Sequence, residues 1–188
     1  MPSQLLLAIP LVLFALLAIT FLVVLRRAGR VVAATREMDG FRQMAGDLAA
    51  RTAASLAGAG ERIDAVRRGQ VAPVTIGETL EAARDAMERY LAEAESLVAP
   101  IGYDPLRVRL AEEMGHAARA LEMVAHGCAT LSAGSGGRAR EAEGQTAIKR
   151  GYLNVLHARD AVLEIGTNLR SSRPSPTSPR WFSGRSAD

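Results

Sequence analysis

Four stretches of this chain place an apolar residue at every third or fourth position, with breakers between them. Only a helix gathers residues of that spacing on one side. The first stretch, Val31 to Arg68, carries Met38, Phe41, Ala45, Leu48, Thr52, Leu56, Ala59, Ile63 and Val66. The second, with Ile76, Leu80, Ala83, Met87, Tyr90, Ala94, Leu97 and Ile101, alternates steps of four and three. So does the third, with Leu110, Met114, Ala117, Leu121, Val124, Cys128 and Leu131, and this rhythm is the seam of antiparallel helix packing. The fourth, Arg138 to Arg170, has a face wide enough for two neighbours through Ile148, Tyr152, Val155, Leu156, Val162, Ile165 and Leu169. A sheet is excluded by the same choice of residues, since aromatic side chains are only 4% of the chain and Ala, Leu and Val supply most of its 48% apolar content. Short connections favour antiparallel neighbours. The sequence therefore predicts an all-α fold, an up-down four-helix, coiled-coil-like bundle over residues 31–170.

The breakers carry their own chemistry. Gly69 to Val74, with Pro73, makes the first turn, and Thr75-Ile76-Gly77-Glu78 has capping-box spacing for the second helix. Pro100 and Gly102 are expected to stop that helix, and Asp104-Pro105 to start the third, Asp as cap and Pro at the first helical position. Gly134-Ser135-Gly136-Gly137 reads as a flexible linker, because no Gly-Lys-Ser/Thr follows to make a phosphate-binding loop. Inside the first helix, Gly58-Ala59-Gly60 is a candidate kink. Gly46, Ala50, Ala54 and Gly58 form a row of small residues against which another helix can approach.

Ahead of the bundle, Leu5 to Leu25 contain no charge, and only Pro10 and Thr20 interrupt a run of Leu, Ile, Val, Phe and Ala. Twenty-one helical residues rise about 32 Å, close to the ~30 Å hydrocarbon thickness, so the run predicts a single N-terminal transmembrane helix. A cleaved signal peptide fits less well: no basic side chain precedes the run, and Arg26-Arg27 separate it from the weak site at Val31-Val32-Ala33-Ala34. The basic flank of Arg26, Arg27 and Arg30 predicts an N-terminus outside and a cytoplasmic bundle. Residues 1–30 are then an anchor in the lipid bilayer of the cell membrane. Residues 171–188 are a Ser/Pro/Arg tail expected to be disordered. Within it, Arg180, Trp181 and Phe182 suit contact with a lipid interface or docking to a partner, unless the tail has no role.

Charge and site chemistry narrow the function. Residues 31–170 hold 17 basic and 19 acidic side chains, so the basic surplus lies in the flanks and no nucleic-acid partner is expected. Glu113 and His116 at i, i+3 have the spacing of half a di-iron carboxylate site, but His126 follows Met123 and His157 follows Asn154, so the second half is missing. No metal or cofactor is expected. Cys128, on the third apolar stripe, is expected to be a small buried group. His157 and Asp160 have no Ser or Cys at matching spacing, so catalysis is not expected. No Gly-x-x-x-Gly pair argues for dimerisation within the apolar run. The reading that follows is a non-enzymatic, single-pass, tethered interaction or scaffold module with an unidentified protein partner. The alternative is a small-ligand sensor with a pocket where Arg159 interrupts the fourth apolar face.

Overall fold

The computed structural model describes residues 3–133 and 137–171, apart from the side chains of 3–16, 18 and 28–32. Every regular element among the described residues is helical: α1 (Ser3–Arg67), a 3-10 turn (Pro73–Ile76), α2 (Gly77–Ser96), α3 (Asp104–Ser132) and α4 (Gly137–Ser171). The chain divides into two compact units, Met1–Phe41 and Arg42–Asp188, and α1 contributes to both.

The second unit is a helical bundle whose core is the set of stripes seen in the sequence. Ala45, Leu48, Thr52, Leu56, Ala59, Ile63 and Val66 of α1 are buried, as are Leu80, Ala83, Met87 and Ala94 of α2. From α3 and α4 come Leu110, Met114, Ala117, Leu121, Val124 and Cys128, then Ile148, Val155, Val162, Ile165 and Leu169. Thr52 is polar but satisfied, its hydroxyl donating to the Leu48 carbonyl at 2.9 Å. α3 and α4 run antiparallel: Gly127 of α3 faces Gly144 and Ile148 of α4, whereas the earlier Ala120 faces the later Gly151. On its other flank α4 meets α1, where Gly166 lies against Ala49 and Arg67 covers the Tyr152 ring at 4.7 Å. Arg51 of α1 pairs with Glu93 of α2.

Glycine sets how closely α3 and α4 come together. A Cβ on Gly151 would lie 2.5 Å from Val124 Cγ2 and 2.9 Å from the Ala120 carbonyl oxygen, and one on Gly127 would lie 2.8 Å from the Gly144 carbonyl oxygen. Backbone oxygens stand in these contacts beside the packed Val124 and Ile148 side chains, so no larger residue fits without moving a helix. The spacing on α4 is seven, Gly144, Gly151 and Ala158, beside the aliphatic column Ile148, Val155, Val162 and Leu169. The small-residue row on α1 behaves differently. Ala50, Ala54 and Gly58 are exposed, and nothing lies within 4 Å of a Cβ placed on Gly46 or Gly58. Nor does Gly58-Ala59-Gly60 interrupt α1, because Ala59 is packed in the core and tertiary burial offsets the weak local propensity.

The turns depart from the sequence expectation in detail. Gly69, at φ 71°, closes α1 in a Schellman motif: its N–H donates to Val66 and that of Gln70 to Ala65, both at 2.9 Å. The capping box does not form, since Thr75 donates to the Ala72 carbonyl at 2.8 Å and the 3-10 turn displaces the start of α2 to Gly77. α2 ends at Ser96, ahead of Pro100 and Gly102, leaving Ile101 fully exposed. Asp104 lies inside α3 and accepts from Arg107 Nε at 2.8 Å instead of capping the helix.

The expected membrane localisation is corrected. Among the described residues no helix is long and apolar enough to cross a membrane. Leu5 and the rest of the predicted span, residues 5–16 and Ala18, lie outside the residues whose side chains are described. A single-pass placement with the N-terminus outside and the bundle cytoplasmic therefore has no span to rest on here.

Glycine packing generates a paired prediction. Gly151→Ala should lower stability by about 1–3 kcal/mol through overpacking. Gly58→Ala, in open space on an exposed helical turn, should raise it by about 0.5–1 kcal/mol. Urea melts of the two variants beside the parent chain check both signs.

Candidate functional site

Polar and charged side chains of the bundle gather along grooves between its helices. Between α3 and α4 runs a groove of about 400 Å³. Its walls carry Glu113, His116, Arg119 and Met123 from α3 and Asn154 and His157 from α4, over a floor of Ala120 and Ala158. His116 Nδ1 lies 3.5 Å from Glu113 Oε2. The two residues thus meet as their i, i+3 spacing implies, on the outer side of α3. Among the described residues no group of three His, Cys, Asp or Glu side chains is placed to hold a metal ion. On the neighbouring face of α3 a second groove, about 570 Å³, is bordered by Leu91 and Glu95 of α2 and by Arg107, Glu112, His116 and Arg119 of α3.

At the other end of the bundle Arg67, Arg68 and Lys149 border a groove of about 500 Å³ with Val66, Leu131 and Ile148. Two of these cations are engaged locally, since Arg67 and Arg68 both pair with Asp64. Arg51 stacks over Tyr90 at 5.3 Å, and its hydrogen bond to Glu93 raises its guanidinium above the ordinary value. Arg42 donates to the Tyr103 hydroxyl and lies over the same ring. These contacts fasten long side chains across helix boundaries at the bundle surface.

Sequence-predicted positions divide into three groups. Arg26 and Arg27 are exposed, as is Leu25, whereas the side chain of Arg30 lies outside the described residues. Arg180, Trp181 and Phe182 also lie outside the described residues. Arg159, expected to mark a pocket, is paired with Asp160 at 2.8 Å, and the groove opens instead at the two residues before it, His157 and Ala158. What the sequence reading missed is the meeting of His116, Arg119, Asn154 and His157. A signal existed in the small residues Ala120 and Gly127, and Gly151 and Ala158, each pair seven apart, which fix how α3 and α4 face one another.

In the first unit, Leu17, Ile19, Phe21, Leu22, Val23, Val24 and Leu25 are exposed, at 52% to 68% of their full surface. These positions cover all sides of the helix. No known protein family, curated protein or solved structure matches this chain.

Cys128 is buried, 5% exposed, and burial pushes its thiol up from the ordinary value. Because the thiolate is the reactive form, Cys128 should react with a disulfide reagent at pH 8 at least about tenfold more slowly in the folded chain than in urea. Equal rates would show that the α3 stripe does not enclose it.

Proposed function

We propose that the chain is a non-enzymatic interaction module, in which an up-down-up-down four-helix bundle carries an apolar helical segment that contacts another protein. The observation carrying this reading is the exposure of seven large apolar side chains between Leu17 and Leu25. At about 1.5–3 kcal/mol each, covering them is worth up to roughly 10–20 kcal/mol, as large as the whole stability of a typical domain. A helix apolar on every side calls for cover by another molecule. Leu17, Phe21 and Val24 are separated by four and three residues, the spacing with which one helix seats against another.

The bundle's chemistry supports a binding role over a catalytic one. His116 is beside a carboxylate, Cys128 is buried with its thiol pushed up by that burial, and Asp160 is engaged by Arg159. The −2 balance over residues 31–170 favours a protein partner over nucleic acid.

A photo-crosslinking side chain in place of Val24, in the full-length chain and its native cells, tests the proposal. A discrete protein adduct that is absent when the same side chain replaces exposed Arg84 is the expected result. Adducts to lipid alone, or the same adducts from both positions, would contradict it.

A further inference from the structure

We infer that the groove between α3 and α4 is a binding site for a small organic carboxylate. The inference is independent of the apolar segment, since every residue it uses lies in the bundle. The floor follows from the packing of the two helices. Ala120 stands seven residues before Gly127, and Ala158 seven after Gly151, so the small-residue columns that bring α3 and α4 together continue outward as methyl groups. A shallow apolar floor remains, with Met123 beside it.

The walls above that floor present donors. Arg119 makes no ion pair among the described residues, and Asn154 and His157 make no side-chain hydrogen bond there. The one carboxylate lining this groove is Glu113, whose side chain is only 21% exposed and faces His116. The other charges bordering His116 and Arg119 are Glu95 of α2 and Arg107 and Glu112 of α3, on the adjoining face. A guanidinium matches a carboxylate in a two-point fork, and the imidazoles and the Asn154 amide supply further donors around it. The volume of about 400 Å³ is in the range of small-ligand sites, and the floor takes a short apolar body.

The chain contains its own control, because its three histidines are His116 and His157 in the groove and His126, exposed on α3 outside it. Benzoate added to the full-length chain with ¹³C-labelled histidine rings should shift the His116 and His157 resonances saturably at constant pH and leave His126 in place. Arg119→Gln should weaken the response about tenfold or more, the value of one lost charged hydrogen bond, without changing the melting temperature. Uncharged benzamide should be correspondingly weaker than benzoate. Equal responses to benzoate and benzamide, a common shift of all three histidines, or no shift at all would overturn the assignment.

Discussion

Direct backbone contact between α3 and α4 is the constraint on which the bundle depends. Gly127, Gly144 and Gly151 stand where a single added carbon would lie within 3 Å of a neighbouring atom. Most helix pairs are held apart by interdigitated side chains at 8–10 Å, and their spacing tolerates repacking. Here main-chain atoms set the spacing, so the relative placement of the two helices has little freedom. Dispersion over this close contact compensates for the conformational freedom that glycine loses in a helix.

The remaining helices are arranged around that pair. α2 covers the other side of α3 through Leu80, Ala83 and Met87, and the lower half of α1, with Leu56, Ala59, Ile63 and Val66, shares one core cluster with α2, α3 and α4. Outward from the α3–α4 seam, the same small residues end in the alanine floor of the groove. Packing and candidate site are thus two consequences of one pattern. Cys128 belongs to the packed side of α3, and His116 and Arg119 to the open side.

Much of this fold was legible in the sequence because burial on helices repeats every three or four residues. Phe41 through Val66, and Leu110 through Cys128, are buried at the positions the spacing indicates. The ends were less legible, since side-chain hydrogen bonds at a helix start compete with one another: Thr75 bonds back to Ala72, and Asp104 bonds forward to Arg107. The row Gly46-Ala50-Ala54-Gly58 looked like a helix-packing surface, but three of its four members face outward, whereas Gly144-Gly151-Ala158, spaced by seven, is the row that packs. The groove was hidden because its residues come from two helices more than thirty positions apart in the chain. Apolar length ahead of Arg26 suggests a membrane crossing, whereas among the described residues no helix is long and apolar enough to make one.

Native-state hydrogen exchange tests most directly whether the α3–α4 seam is the foundation of the bundle. The account predicts that the slowest amides lie in Ala117–Cys128 and Ile148–Val162 and open only with global unfolding. Slowest exchange in α2, with α3 and α4 opening locally at lower free energy, would contradict it.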